Sequence, residues 1–264
     1  MRIDDAEYQN HVVFDELDQY ITFYNKLSLS IFPFITQGVS TTILNIDSYV
    51  YSSLEGTLES IKLILKRGRI NDAWSLLRKY HDSIIINIYS ILYLKNNFSI
   101  ETFIVDQIDN WMHGKSSLPE FRIMSQYIRN IESLSEVKDL LYEKDDRYKK
   151  IRNRCNNNTH YNFFSNIMLN NNEIYSQKRI NSLDNFSLDL KDLFVLHIIY
   201  IFTINEHYMI SDDYIDYLES GETPPEGSQY WVAPFVQEIF DDVLAKHRPD
   251  LADYLRKNTG MQIE

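Results

Sequence analysis

The residues with the clearest chemical potential lie between Tyr148 and Phe164, in the stretch YKKIRNRCNNNTHYNFF. Four basic side chains, three consecutive asparagines and one histidine fall within these seventeen positions. A histidine side chain titrates near neutral pH, at about 6.5 when unperturbed, and can therefore take up and release protons. A guanidinium can hold anionic oxygens through two parallel hydrogen bonds. Together, these groups are suited to chemistry on phosphate esters.

Positive charge is concentrated in the same region. Residues 144–154 include six basic and two acidic residues, although the whole chain has a formal net charge of -12. A strongly acidic body disfavours indiscriminate binding of nucleic acid. A compact basic patch on such a body can accept a polyanion at one place, and Arg147, Lys149 and Lys150 are predicted to contact RNA there. The alternative is a solvated helix face, because cations are favourable near a helix C-terminus whatever their function.

The spacing of Arg154 and His160, with five residues between them, resembles the motif of the HEPN superfamily. That motif is an arginine, four to six residues and then a histidine, near the end of a helix in a bundle. The flanking sequences IRN and HYN are similar to members in which Arg-Asn opens the motif. Arg152, followed by Asn153, is therefore a second candidate for the motif arginine, although its gap of seven residues to His160 exceeds the usual spacing.

The resemblance implies a metal-independent endoribonuclease that requires no cofactor. In this hypothesis His160 transfers protons between the ribose 2′-hydroxyl and the leaving 5′-oxygen. Arg154 or Arg152 stabilises the negative charge that develops around phosphorus. Asn153 would orient the phosphate or the ribose, and Tyr161 would stack on a base of the RNA.

The resemblance also has consequences for partners. HEPN subunits place two motifs in one cleft across a two-fold interface, which implies a homodimer. Many members are toxins or abortive-infection effectors in antiviral defence, which implies such a role here and an antitoxin or defence-complex partner. A second, partial similarity involves Arg78 and Asp82, which match an arginine and acidic pair in the long helix of several HEPN subfamilies.

A different class of function stays open. The chain could be a non-catalytic helical binding module, or an adaptor in a defence or toxin–antitoxin complex, in which Arg154 and His160 are structural. The acidic body favours this alternative, as do the aromatic residues Tyr230, Trp231 and Phe235 near the C-terminus.

The fold is predicted to be all-α. Apolar residues recur mostly at intervals of three and four, and only 7 glycines and 6 prolines are present. Residues 1–210 are expected to form a HEPN-like helical bundle, and residues 211–264 a C-terminal appendage of two or three short helices. Predicted helices lie within 5–27, 39–66, 72–94, 100–112 and 118–131, then in one helix from 135 through the basic cluster, and finally within 188–208.

Several helix ends are marked by residue type. Gly68 is predicted to end one long helix, and Asn71 or Asp72 to cap the next. Ser135 is predicted to cap the helix that carries the basic cluster. The asparagines at 156–158 are weak helix formers and should kink or end that helix.

Composition excludes several classes of protein. The single cysteine, Cys155, rules out an intramolecular disulfide and suits a reducing compartment. The longest apolar stretches are about eleven residues, whereas a bilayer span needs ~20, and the first residues are too polar for a signal peptide. Metal-binding and phosphate-loop motifs are not found. The chain is therefore predicted to be cytoplasmic, with no membrane segment, metal or cofactor.

Three further side chains carry expectations. His197 lies in an apolar stretch and is expected to be a hydrogen-bonded core histidine. His81, beside Asp82, is expected to face solvent. Arg154 could lower the pKa of the neighbouring Cys155 thiol.

Overall fold

A computed structural model of the chain describes residues 2–31, 46–99, 104–172, 176 and 178–264. Within these ranges the chain is mostly helical, and β-pairing is limited to two isolated bridges, Ile210 with Val232 and Trp231 with Gln262. The prediction of an all-α fold is therefore confirmed. The α-helices are α1 (Ala6–Gln9), α2 (Val13–Ser30), α3 (Ile46–Lys66), α4 (Ile70–Asn97), α5 (Asp106–Met112), α6 (Phe121–Arg129), α7 (Ser135–Tyr142), α8 (Arg147–Thr159), α9 (Phe164–Met168), α10 (Lys178–Ile204), α11 (Asp212–Glu219), α12 (Pro234–Ile239), α13 (Ala245–His247) and α14 (Pro249–Asn258).

The long helices α4 and α10 form the centre of the core. In α10 every residue from Leu193 to Phe202 is buried, including the polar His197. Burying one Leu, Ile or Phe side chain contributes about 1.5–3 kcal/mol, so an uninterrupted buried run of this length fixes the helix in the interior. Helix α10 begins ten residues earlier than predicted, because Leu183 and Phe186 extend its buried face and Phe186 packs edge-on against Trp74 of α4 at 5.0 Å.

The other helices pack around this pair. Helix α2 packs along α3, α3 packs on α4, and α6 and α8 pack against α4. Helix α8 also contacts α10. Among the described helices, none has the length and apolar character needed to cross a bilayer. The predicted helix starts at 39 and 100, and most of the predicted break between α2 and α3, lie outside the described residues.

Helix α3 ends next to Gly68, as predicted, but the residue that caps the start of α4 is not one of those predicted. Gly68 has a φ of 74° and follows the end of α3, where glycine adopts the left-handed region at little cost. The prediction that Asn71 or Asp72 caps α4 is wrong, since both lie within its first turn. The cap comes instead from Asn170, whose Oδ1 accepts the backbone N–H of Asn71 at 2.9 Å. The Nδ2 of Asn170 also donates to Asp72 at 3.0 Å.

The helix predicted to run from Ser135 through the basic cluster is two helices, α7 and α8. Ser135 is the first residue of α7 rather than its cap. The chain breaks after α7 because the carboxylate of Asp145 accepts the backbone N–H of Arg147 at 2.9 Å and starts a new helix. Helix α8 continues through the asparagines at 156–158 and ends one residue beyond them, at Thr159.

Residues 211–264 form four short helices, with a π-helical turn at Phe240–Leu244 between α12 and α13. Val236, Ile239, Leu251 and Leu255 are buried, and they belong to the same hydrophobic cluster as the residues of α4 and α10. The C-terminal segment therefore packs onto the helices that position the candidate site.

Candidate functional site

Helix α8 carries the sequence motif and presents two contrasting faces. One face is buried against α4 and α10 by Tyr148, Ile151, Cys155 and Asn158. The residues that point away from α4 and α10 are polar, as expected for a helix that packs only one side against a core. The exposed residues on α8 or directly after it are Lys149, Lys150, Asn153, Thr159 and His160.

The two candidate arginines leave α8 on opposite flanks. The guanidinium of Arg154 donates to both carboxylate oxygens of Asp189 in α10, with Nε 2.7 Å from Oδ2. The Arg154 side chain is 40% exposed, whereas that of Asp189 is 3% exposed. Burial raises the pKa of Asp189, and the hydrogen bond and charge of Arg154 act against that rise. This ion pair therefore attaches one flank of α8 to the core.

Arg152 is held on the other flank, against α4 and α6. Its Nη1 donates to Oδ1 of Asp82 at 2.6 Å, and its guanidinium lies 3.4 Å from the ring centroid of Phe121. Arg78 donates to the same Asp82 at 3.2 Å and also to Oδ1 of Asn156. The predicted pairing of Arg78 and Asp82 is thus part of a larger cluster that ties α8 to α4.

His160 lies directly after the last residue of α8 and is exposed. Within the described residues, the backbone N–H of His160 donates to the carbonyl of Asn156, and no hydrogen bond or ion pair involves its imidazole. In a single chain neither Arg152 nor Arg154 is bonded to this ring, because their guanidiniums point to Asp82 and Asp189. The imidazole is therefore available to an external molecule.

The chain after His160 makes a tight reversal. The backbone N–H of Tyr161 donates to the carbonyl of Asn158 at 3.3 Å, and that of Asn162 donates to the carbonyl of Asn157 at 3.0 Å. This bond pattern is a Schellman motif with Tyr161 in the left-handed position at a φ of 49°. Tyr161 is 47% exposed. His160 and Tyr161 are consecutive residues, and both are exposed at the C-terminal end of α8.

The asparagine run contributes to this end of the helix through its contacts. Asn71 of α4 donates to both the carbonyl and the side-chain oxygen of Asn158 at 3.0 Å. Asn162 donates to Oδ1 of Asn157 at 2.9 Å. The side chains thus satisfy groups at the helix end that would otherwise need water.

The predicted RNA-contacting cations differ in their pairing. Arg147 bonds to Asp145 and, at 2.8 Å, to Asp192 of α10. Lys150 pairs with Asp146 at 2.6 Å. Lys149 is exposed, and among the described residues no carboxylate lies within ion-pairing distance of it.

Two expectations about neighbouring side chains are wrong. His81 is only 3% exposed, and burial together with the charge of Arg152 lowers its pKa to about 3. Cys155 is buried, and this burial raises the pKa of its thiol to about 12 despite the arginines nearby. Cys155 is therefore an inert core residue. The expectation for His197 is confirmed, since it is fully buried and bonds to Tyr24 and Asn87 at 2.7 and 2.8 Å.

Sequence reasoning missed Asp189, which orients Arg154. The available signal was a carboxylate inside the apolar stretch FSLDLKDLFVLHIIY, where an unpaired charge would be costly. In the part of the chain that the structure describes, no cluster of three or more His, Cys, Asp or Glu side chains could hold a metal ion.

A comparison of the chain with protein-family models, with curated proteins and with solved structures found no match.

Proposed function

We propose that this chain is a metal-independent endoribonuclease of the HEPN type that acts as a homodimer. The observation that carries the proposal is the exposed imidazole of His160, which has no partner among the described residues, at the end of the helix that holds Arg152 and Arg154. A general acid or base must reach its substrate, and a histidine enclosed in the core could not.

The proposed reaction uses these groups in sequence. An imidazole takes the proton of the ribose 2′-hydroxyl, and the 2′-oxygen attacks the adjacent phosphorus. The bond between phosphorus and the 5′-oxygen breaks, and a protonated imidazole supplies the proton that the leaving oxygen needs. A fixed guanidinium stabilises the charge on the non-bridging oxygens. Asp189 and Asp82 would hold Arg154 and Arg152 in place, which limits the reorganisation required during the reaction.

The surface beside His160 supports the homodimer. Four large apolar side chains are exposed there, Tyr161 (47%), Phe163 (58%), Phe164 (73%) and Ile167 (46%). We call these four residues the apolar patch. A second copy that covers the patch through a two-fold axis would bring two His160 side chains close together, so that one could act as base and the other as acid. Asn153 and Lys149, which are exposed on the same helix, would border the shared cleft.

The test is cleavage of single-stranded RNA in the presence of EDTA. We expect His160→Ala to lower the cleavage rate by about 10²–10⁴-fold, the usual contribution of a general acid or base. Its stability should change by less than about 0.5 kcal/mol, because the side chain is exposed. The matched control is His113→Ala, which removes another exposed histidine. Cleavage by wild-type protein that equals cleavage by His160→Ala would remove this residue from the mechanism.

Separate variants identify the motif arginine. Arg154→Lys and Arg152→Lys keep the charge and lose the planar guanidinium. We expect the larger loss of cleavage from the arginine that contacts the phosphate, and the double variant Arg154→Ala with His160→Ala should be inactive.

A non-catalytic binding module is the second candidate. The pairing of both arginines with carboxylates favours it, because these residues could then be structural, and the apolar patch could hold a partner protein. If wild-type protein binds RNA or a partner and cleaves nothing, this candidate replaces the first.

For the nuclease, the HEPN resemblance supports a proposed role as a toxin or effector in antiviral defence, with an antitoxin or defence-complex partner.

A further inference from the structure

The C-terminal end of α8 is held by side-chain amides from two other helices. The last turn of a helix leaves carbonyl groups without partners inside the helix. Nδ2 of Asn166, in α9, donates to the carbonyl of Asn157 at 2.8 Å. Nδ2 of Asn71, in α4, donates to the carbonyl of Asn158 at 3.0 Å. Helices α4 and α9 therefore meet at the last turn of α8, directly before His160.

The contact from α4 is buried. Asn71 is 2% exposed and Asn158 is 7% exposed. Asn71 also donates to Oδ1 of Asn158 at 3.0 Å, and Nδ2 of Asn158 donates to the carbonyl of Arg154 at 2.9 Å. A different side-chain orientation would leave buried donors without acceptors, which is costly. The contact from α4 is therefore rigid.

The contact from α9 has a different character, because α9 is held mainly by polar groups. None of its five residues is buried, so hydrophobic burial contributes little to its attachment. Phe164 and Ile167 are exposed members of the apolar patch, whereas Asn166 reaches α8. The hydrogen bond from Asn166 to Asn157 thus links the helix of the apolar patch to the helix end that carries His160.

We propose that Asn71 and Asn166 are positioning residues that fix the last turn of α8 and, through it, His160. The inference rests on the proposed nuclease and adds to it the residues that orient the proposed acid or base. Both side chains act through carbonyl groups of α8. The backbone N–H of His160 donates to the carbonyl of Asn156 at 3.0 Å, so His160 belongs to the turn that is held. A displacement of about 1 Å in a reacting group can lower a rate by about 10²-fold.

Asn166→Ala is the decisive variant, because it removes one amide from a helix without buried residues. The thermal midpoint of unfolding should stay within about 2 °C of wild type. By NMR, the backbone amides of His160 and Tyr161 should exchange with solvent about two- to tenfold faster, as expected when one hydrogen bond that holds this turn is lost. This measurement does not require cleavage.

The cleavage assay supplies the second measurement. For Asn166→Ala we expect kcat to fall by about tenfold or more, with KM unchanged within about twofold, because the amide acts on the position of His160 and not on RNA binding. Asn166→Gln keeps an amide donor and should recover part of kcat and of the slow exchange. Asn71→Ala should lower kcat as well, together with the thermal midpoint, because its site is buried.

Asn185→Ala is the matched control. Asn185 is an exposed asparagine of α10 whose Nδ2 donates to the carbonyl of Asn181 in its own helix at 2.7 Å. Amide exchange at His160 and kcat should both equal those of wild type in this variant.

The two measurements separate the failure of this inference from the failure of the nuclease. If wild-type protein cleaves no RNA, the proposed function is wrong, and amide exchange in Asn166→Ala still decides whether this residue fixes His160. The inference is overturned if exchange at His160 and Tyr161 is the same in Asn166→Ala and wild type. In an active enzyme it is also overturned if kcat is unchanged in Asn166→Ala, or if Asn166→Gln is as impaired as Asn166→Ala.

Discussion

At the scale of single residues, Tyr161 has a conformation that its side chain disfavours. The same Schellman motif ends α3, where the left-handed position is occupied by Gly68 at a φ of 74°. At the end of α8 that position holds a tyrosine at a φ of 49°. A residue with a Cβ atom costs roughly 1–2 kcal/mol in this region. Since about half of the residue is exposed (47%), packing compensates for only part of the cost, and this strain agrees with the stacking role proposed for the ring.

We therefore predict opposite effects of Tyr161→Gly on stability and on activity. The free energy of unfolding should stay unchanged or rise by up to about 1 kcal/mol, because glycine relieves the strain but adds entropy to the unfolded chain. RNA cleavage should fall, because a stacking ring is lost. Tyr161→Phe, which keeps the ring, should retain most of the cleavage. Thermal unfolding and the RNA assay measure both quantities, and full cleavage by Tyr161→Gly would contradict the stacking role.

The buried histidines give the stability of the protein a dependence on pH. Burial lowers the pKa of His81 and of His197 to about 3, below the ordinary value of about 6.5 that they regain on unfolding. Between these values the unfolded chain binds more protons, so each histidine makes stability fall as pH falls from about 6.5 towards 3. Asp47 has the opposite effect, because burial raises its pKa to about 6 and its contribution is lost as pH rises through that value.

His81 is the better residue for testing this effect, because His197 is bonded to Asn87, whose Nδ2 also donates to Asp47 at 2.8 Å. We predict that His81→Phe removes one proton-uptake step, so the stability of the variant relative to wild type should increase as pH falls from about 6.5 to about 4. The difference should reach on the order of a few kcal/mol. Urea titrations at several pH values measure it. A difference that is independent of pH would mean that His81 is already protonated in the folded chain or equally accessible in both states.

At the scale of helices, α8 is attached to the bundle by two ion pairs whose carboxylates differ in burial. Asp189 is almost fully buried in α10, whereas the side chain of Asp82 is 37% exposed. Removing one partner of a buried pair is costly because the other charge is left without compensation. The flank of α8 that carries Arg154 should therefore depend more strongly on its carboxylate than the flank that carries Arg152.

We predict that Asp189→Asn lowers the free energy of unfolding by about 1–3 kcal/mol, with solvent at the half-exposed Arg154 limiting the loss. A double-mutant cycle with Arg154→Gln should give a coupling energy of about 1 kcal/mol or more. Asp253→Asn, at a carboxylate that is 80% exposed, is the control and should change stability by less than about 0.5 kcal/mol. Additive effects of the two substitutions would show that the pair does not hold α8.

Some of these elements could be predicted from the sequence, because their signals are local. The apolar runs of α4 and α10, the end of α3 at Gly68 and the position of His160 at a helix end follow from periodicity and residue type. The cap of α4 could not be predicted, since Asn170 is 99 residues from Asn71 in the sequence. Such contacts depend on which helices become neighbours.

The candidate site shows the same division between local and long-range signals. Its cations and histidine were evident from their spacing, but the partners that orient them were not. The pair of Arg154 and Asp189 spans 35 residues of sequence. The burial of His81 results from packing against Phe121, whose ring centroid lies 5.3 Å from the imidazole. The residue types of the candidate site could therefore be predicted from the sequence. The positions and partners of these side chains could not, because they depend on how the helices pack.

At the scale of the whole molecule, the apolar patch is a run of exposed side chains that packing among the described residues of one chain does not explain. Large apolar side chains clustered on a surface cost solvation free energy and usually mark an interface. The patch begins at the residue next to His160, so a molecule that covers it must also border the imidazole. A partner related by two-fold symmetry would bring its own imidazole to the same place, which is the arrangement that the proposed reaction needs.

We predict that Phe164→Asp prevents dimer formation and abolishes RNA cleavage together. Phe164 is the most exposed aromatic residue of the patch, at 73%, so an aspartate should not disturb the core but would place a charge in an apolar interface. Light scattering coupled to gel filtration measures the mass, and Leu63→Asp, at an exposed leucine of α3, is the control that should remain dimeric and active. Because the shared cleft requires both copies, wild-type activity per chain should also fall on dilution below the dimer dissociation constant. A monomeric Phe164→Asp that cleaves RNA at the wild-type rate would show that one chain holds a complete site, and the two-fold cleft would then be wrong even if the nuclease were real.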